Sequence, residues 1–152
     1  MSESEVEAVF EQARALQRAA RDGATQPMLR GKKLGLLCES EELPEAMLFR
    51  RAARGLGAHV AYIRASLSEL STPIEVQHTS RLLGRLYDAV ECQGVSQTLA
   101  QQIGAEAGVP VYCGLASSSH PTARLAAALG DPDAADDNRC FVVQAMLLIT
   151  MA

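Results

Sequence analysis

An acidic segment follows the apolar run Leu34–Cys38, with four carboxylates within seven residues: Glu39, Glu41, Glu42 and Glu45. Pro44 is typical of a first helical turn, so these carboxylates are expected near a helix N-terminus. Carboxylates there interact favourably with the helix dipole, by about 0.3–1 kcal/mol, and they repel anions. Two interpretations remain open. The simpler is a solvated acidic turn that caps its helix, and the other is a site for a cation or an amine.

A second polar group, Ser117–Thr122, contains His120 directly after three serines. A serine–histidine hydrolase is not favoured, because adjacent side chains rarely face each other and no orienting acid is identified. The pair His120-Pro121 is instead typical of a helix start capped by a serine. His120 is therefore a candidate for ligand contact, with a purely structural role as the alternative.

The cysteines and histidines do not have the spacing of a metal site. The four cysteines are Cys38, Cys92, Cys113 and Cys140, and no two are close in sequence. Most free cysteines behave as small buried hydrophobic residues, which is what we expect of these four. No metal and no disulfide are predicted, and unpaired cysteines favour a reducing, cytoplasmic location.

Four short apolar runs predict the strands that position these groups: Leu34–Cys38, His59–Ile63, Ala89–Cys92 and Val109–Cys113. Helical patterns precede, separate and follow them: Glu3–Arg21, Pro44–Leu56, Ile74–Tyr87, Val95–Ala107, a stretch from His120 to Gly130, and a last helix from Asn138. Alternating strands and helices predict a parallel sheet covered on both faces. The expected fold is an α/β, doubly wound, four-stranded parallel sheet with additional N- and C-terminal helices.

In such sheets, ligands bind beyond the carboxyl ends of the strands. Two strand-to-helix junctions are therefore the expected site, Glu39–Met47 and Gly114–Thr122. The sequence has no glycine-rich dinucleotide motif and no P-loop, so nucleotide binding has no support and no cofactor is expected.

Several motifs, in order, resemble the N-terminal, carbamoyl-phosphate-binding domain of ornithine and aspartate carbamoyltransferases: GKKLGLLCE, GLGAHVAYI, TSRLLGRLYDAV, VPVYCGL and HPT. The final NRCFVVQAMLLITMA is similar to the family's C-terminal helix, which packs on that domain. The resemblance implies an N-terminal helix and linker in residues 1–30, the α/β domain in 31–130, and an acidic connector with the last helix in 131–152. It also implies that the amino-acid-binding domain normally found between them is missing.

The family's phosphate-binding residues are absent at the matching positions. Its Ser-Thr-Arg-Thr-Arg motif corresponds to 42–46, Glu-Leu-Pro-Glu-Ala, so both arginines are lost. A further family arginine corresponds to Gln93, which cannot replace a guanidinium fork. Two like charges about 4 Å apart cost about 4 kcal/mol at an effective dielectric of about 20, so the acidic segment opposes phosphate binding.

The family's His-Pro-x-Gln motif survives in part as His120-Pro121-Thr122-Ala123. In the family this histidine bonds the carbamoyl oxygen, and His120 is the one residual catalytic candidate. The expected ligand-binding residues are His120, Thr122, Gln93, Glu39 and Glu42. Arg81 and Arg85 are candidates for ion pairs between subunits.

The composition fits a folded globular protein: of 152 residues, 48% are hydrophobic and 21% charged. The net charge of −4 argues against nucleic acid or an anionic membrane as partner. Our first hypothesis is a catalytically inactive carbamoyltransferase relative that acts through assembly, as a homotrimer or with a full-length carbamoyltransferase. The alternatives are a small-molecule-binding or regulatory module in the former active-site crevice, and part of a carbamoyltransferase completed by another chain.

Overall fold

A computed structural model describes residues 1–64, 66–131 and 134–151. It contains a sheet of four strands: β1 (Lys33–Cys38), β2 (His59–Arg64), β3 (Ala89–Cys92) and β4 (Val111–Cys113). Their order is β2-β1-β3-β4, and all neighbouring strands are parallel. The predicted four-stranded parallel sheet is confirmed.

In the part of the chain that the structure describes, six helices accompany the sheet: α1 (Glu3–Arg21), α2 (Pro44–Gly55), α3 (Pro73–Leu86), α4 (Gln97–Ala107), α5 (Leu125–Ala128) and α6 (Ala135–Met151). One core cluster joins the sheet to α1, α2, α5 and α6, and a second joins it to α3 and α4. Helices therefore cover both faces, as the alternating pattern predicted. Within the described ranges, no helix combines the length and the apolar character needed to cross a membrane.

The contact between α3 and α4 depends on a glycine. A Cβ atom on Gly84 would lie 1.9 Å from the backbone oxygen of Ala107, where α4 ends. Only glycine allows the two helices to come this close without a shift of backbone. This contact fixes α4, whose N-terminus lies at the carboxyl ends of the strands.

α6 packs against α1, α2 and α5, and buried amide side chains hold it there. Gln17 in α1 donates from Nε2 to Oδ1 of Asn138 at 3.1 Å. Gln144 donates from Nε2 to the carbonyl of Ala52 in α2 at 3.0 Å. Because buried amides need partners, these bonds fix the register of α6 on the domain. Pro132 and Asp133 of the predicted acidic connector, and Ala152, lie outside the described residues.

The predicted helix from His120 to Gly130 is wrong in length. Residues 120–124 form successive turns with bonds to the third preceding residue, such as Ala123 N to His120 O at 2.9 Å. Only Leu125–Ala128 is helical. Pro121 cannot donate a backbone bond, and Thr122 donates its N–H to the His120 ring, so local bonds replace the first helical turn.

Candidate functional site

A crevice of about 720 Å³ opens at the carboxyl ends of β1, β3 and β4. It is lined by residues just after these strands and at the starts of α2 and α4: Cys38, Glu39, Leu43, Glu45, Gln93, Gly94, Val95, Gln97, Cys113, Gly114, Ser117, Ser119, His120 and Pro121, together with Met1 and Met146. Three strands end at one edge because the sheet is parallel, so the two predicted junctions meet here.

The charged side chains of the lining are acidic. Glu39 and Glu45 line the crevice, and its described lining has no lysine or arginine, whereas Arg64 lines an adjoining cavity that shares Glu39 and Gln93 with the crevice. Glu42 lies outside the lining, and Glu41 pairs with Arg50 at 3.2 Å. The two lining carboxylates disfavour the binding of a phosphate dianion beside them.

The start of α2 has no side-chain cap, and Glu39, Glu41 and Glu42 of the acidic segment before it are exposed to solvent. Its N-cap residue is Leu43, which has no side-chain hydrogen bond to the helix. Ser40 instead accepts from the backbone N–H of Glu42 at 3.2 Å, before the helix begins. Glu45, in the first turn, contributes through its charge.

Gln93 lies between the start of α2 and the end of β3. Its Nε2 donates to the backbone oxygen of Glu45 at 3.1 Å and to Oε2 of Glu91 at 3.3 Å. The amide joins two elements where the family has an arginine, and its oxygen Oε1 is buried without a hydrogen-bond donor among the described residues. The structure thus places Gln93 in the crevice wall, with one acceptor unused.

Glu91 is a polar residue at the base of the site that the sequence analysis did not single out. It is fully buried in β3 and accepts backbone N–H bonds from Leu115 at 3.0 Å and Ala116 at 3.1 Å. Burial raises the pKa of its carboxyl from 4.5 to about 7, although these bonds act in the opposite direction. The available signal was a carboxylate inside the apolar run AVEC, which is costly unless hydrogen-bonded.

His120 lies in the crevice lining, and Thr122 fixes its ring. The backbone N–H of Thr122 donates to Nδ1 at 3.2 Å, and Oγ1 lies 2.8 Å from the same atom. Since Nδ1 accepts, the neutral ring carries its proton on Nε2. Burial lowers the pKa of His120 below its ordinary 6.5, so the ring is a neutral N–H donor at pH 7.

The predicted site residues are brought together only in part. Glu39, Gln93 and His120 share the crevice, whereas Thr122 is buried and lines a small separate cavity beside α6. The thiols of Cys38 and Cys113 also line the crevice, with pKa values raised by burial.

The described residues contain no group of three or more histidine, cysteine or acidic side chains placed to hold a metal ion. The four cysteines are free, and three of them are buried. The arrangement therefore offers hydrogen-bond acceptors, carboxylates and one imidazole N–H to whatever enters the crevice.

Comparison with known proteins gives a consistent result. Residues 1–129 match the family described as aspartate/ornithine carbamoyltransferase, carbamoyl-P binding domain. Ornithine carbamoyltransferase from Actinobacillus pleuropneumoniae serotype 5b is 37% identical over 125 residues, which are 82% of this chain and 37% of the relative. The enzyme of that name from Cutibacterium acnes is 39% identical over 107 residues, 70% of this chain and 32% of the relative.

The solved structure of ornithine carbamoyltransferase from Pyrococcus furiosus superimposes with a TM-score of 0.70 and 26% identity, over 83% of this chain and 40% of that one. The chain spans less than two fifths of the length of the curated relatives named above. The match over 129 residues, at the sheet and crevice described here, shows that the chain belongs to the aspartate/ornithine carbamoyltransferase family and corresponds to its carbamoyl-phosphate-binding domain.

Proposed function

We propose that this domain does not catalyse carbamoyl transfer and that it acts through oligomeric assembly in the cytoplasm. The observation that carries the first part is the charge of the crevice, with Glu39 and Glu45 in its lining and no described lysine or arginine there. Carbamoyl transfer releases phosphate, so its transition state needs cationic groups around the leaving oxygens. His120 would polarise a carbonyl, but the described lining of the crevice offers no lysine or arginine side chain to hold the phosphate.

The start of α2 leaves little room for one of the two arginines lost from the motif. Ala46, which matches the second arginine of the family motif, is fully buried in the core. A longer side chain at that position would have to displace packed core atoms, which typically costs about 1–3 kcal/mol. Gln93 takes the third arginine's place and is bonded to the backbone of Glu45, so its side chain serves to join β3 and α2.

Calorimetric titration with carbamoyl phosphate tests the loss of the anion site. At low ionic strength, where screening is weakest, we expect no saturable heat up to millimolar ligand, with inorganic phosphate as the control. The double variant Glu39→Gln/Glu45→Arg should gain measurable phosphate binding if the sign of the charge is the cause. Saturable binding of carbamoyl phosphate to the unmodified chain in the micromolar range would overturn the proposal.

Assembly is supported by a surface on α3. Ile74, Leu82 and Leu86 recur at multiples of four residues and are 68%, 54% and 53% exposed. Such spacing places them on one side of the helix, near Arg85 and near Arg81, which forms an ion pair with Glu106 of the same chain at 3.3 Å. Apolar patches of this kind mark interaction surfaces. We assign this α3 face to a homotrimer, or to contact with a full-length carbamoyltransferase, and expect light scattering to give a mass well above 16.2 kDa.

A second candidate function is a small-molecule-binding or regulatory module, and the crevice of about 720 Å³ at the carboxyl ends of the strands favours it. Both functions are compatible with a crevice that rejects phosphate. The third alternative, a carbamoyltransferase completed by another chain, requires carbamoyl-phosphate binding. It predicts citrulline or carbamoyl-aspartate formation when a partner supplies the amino-acid-binding domain.

A further inference from the structure

Exposed apolar side chains are grouped at a second place besides the α3 face, at the start of α2. Leu43 is 42% exposed and Met47 is 56% exposed. Because these two residues are four positions apart, they lie on one side of the chain as it enters the helix. Neighbouring apolar side chains that remain exposed are typical of an interaction surface.

The residues next to Leu43 make this second surface acidic. Glu41 and Glu42 directly precede Leu43, and both are exposed. Glu41 pairs with Arg50 at 3.2 Å, whereas Glu42 forms no ion pair with any residue that the structure describes. We call Glu41, Glu42, Leu43 and Met47 the acidic surface of α2. It offers a carboxylate without a cationic partner beside two apolar side chains.

The α3 face contains a groove of opposite charge. The groove has a volume of about 450 Å³ and is lined by Gln77, His78, Thr79, Arg81, Leu82 and Arg85. Arg81 pairs with Glu106, whereas Arg85 forms no ion pair within the described ranges. Glu75, the one carboxylate of α3, lies in the first turn, about 15 Å along the helix from Arg85. The groove therefore presents an arginine without a carboxylate partner beside the apolar side chain of Leu82.

The acidic surface of α2 and the α3 groove are complementary in charge, but they lie on opposite sides of the sheet. α2 packs through Ala46 and Phe49 into the core cluster on one face, and α3 packs through Val76 and Leu83 into the cluster on the other. Contact between these two surfaces therefore requires two copies of the chain. A contact that joins two different surfaces repeats from copy to copy and closes into a ring when the rotation allows it.

We propose that the acidic surface of α2 in one copy docks in the α3 groove of a second copy. In this contact Glu42 faces Arg85, and Leu43 and Met47 pack against Leu82. The inference rests on the proposed function, because it names the partner surface of the α3 face in the assembly. It deepens that function by giving the acidic segment a role in holding copies of this chain together.

Charge reversal tests this contact, with the mass in solution measured by light scattering. Glu42→Arg and Arg85→Glu each place like charges opposite one another, so each should weaken association at least tenfold. The mass should then approach the 16.2 kDa of one chain at micromolar concentration. The double variant Glu42→Arg/Arg85→Glu restores a pair of opposite charges and should recover the mass of the unmodified oligomer. A variant that failed to fold would not be rescued in this way.

A matched control separates the contact from net charge. Glu7→Arg, at an exposed position in α1, changes the net charge as Glu42→Arg does and should leave the mass unchanged. Dissociation by Arg85→Glu but not by Glu42→Arg would show that the α3 face meets another surface, such as a second α3 face, and would overturn the inference. A double variant that stays dissociated would also overturn it.

These results distinguish the inference from the proposed assembly on which it rests. If the unmodified chain is a monomer at micromolar concentration, the proposed assembly is wrong and the inference fails with it. If the chain is oligomeric and Leu82→Glu dissociates it while Glu42→Arg does not, assembly through the α3 face holds. In that case only the acidic surface of α2 is wrong as its partner.

Discussion

The carboxylate of Glu91 accepts a hydrogen bond from the side chain of Gln93, with Oε2 and Nε2 3.3 Å apart. The two residues are separated by one position at the end of β3, so the strand's alternation directs both side chains to the same face. Glu91 also accepts from Leu115 and Ala116, after β4, while Gln93 donates to Glu45 in α2. One carboxylate–amide pair thus ties together the elements that form the crevice.

The buried carboxyl of Glu91 predicts an unusual dependence of stability on pH. Its pKa is about 7 in the folded chain against 4.5 ordinarily, so the folded state binds more protons between these values. The free energy of unfolding should therefore fall as pH rises from 4.5 to 7, by an amount on the order of 3 kcal/mol. Urea unfolding at several pH values measures this change.

The variant Glu91→Gln removes this titration and should flatten the stability profile over the same range. Glu7→Gln, an exposed substitution in α1, is the matched control and should leave the profile unchanged. An unaltered slope in Glu91→Gln would contradict the assignment of the pH dependence to Glu91.

The close contact between α3 and α4 predicts a large cost for a single methyl group. In Gly84→Ala the new Cβ would overlap the backbone oxygen of Ala107, and relieving that overlap requires a backbone shift. Overpacking of this kind costs about 1–3 kcal/mol. The control is Gly104→Ala in α4, where the nearest atom is an ordinary 3.5 Å from the Cβ, and we expect little or no loss there. Equal midpoints of thermal unfolding for the two variants would contradict the predicted cost of the close contact at Gly84.

The sequence was sufficient for the sheet because each strand is a short apolar run bounded by polar or glycine residues. It was insufficient after His120, where a bond between the Thr122 N–H and the imidazole competes with helix formation. The position of Glu39 at the crevice follows from strand order alone. Two findings could not be predicted: Glu42 lies outside the crevice lining, and Gln93 has an unused acceptor. Both depend on side-chain directions at the start of α2, which no pattern of residue types specifies.

The ring of His120 should titrate below its ordinary pKa of 6.5 and carry its neutral-state proton on Nε2. Burial disfavours the charged ring. Nδ1 already accepts a hydrogen bond from the backbone N–H of Thr122, so a proton on Nδ1 would face another proton donor. Because the folded pKa is lowered, stability should decrease as pH falls through it.

Thr122→Val replaces the one oxygen near Nδ1 that could accept from a protonated ring with an apolar methyl, so it should lower the pKa of His120 further, whereas Thr122→Ser keeps the hydroxyl and should leave the pKa unchanged. Long-range ¹H–¹⁵N spectra of the imidazole report both the tautomer of His120 and the midpoint of its titration. A proton found on Nδ1 in the neutral ring would contradict the geometry.

The α3 face provides the last prediction, which tests the proposed assembly. Leu82 is 54% exposed, so Leu82→Glu places a charge on the apolar stripe without disturbing the core. If the α3 face is buried between subunits, an unpaired carboxylate there should dissociate the oligomer, and light scattering should give the 16.2 kDa of one chain.

Met28→Glu, at a site 51% exposed before β1, adds the same charge outside α3 and should leave the assembly intact. An unmodified chain that is already monomeric at micromolar concentration would rule out assembly through this face. If both variants dissociate the oligomer, the cause is the added charge and not a contact made by the α3 face, because the two variants add the same charge at different sites.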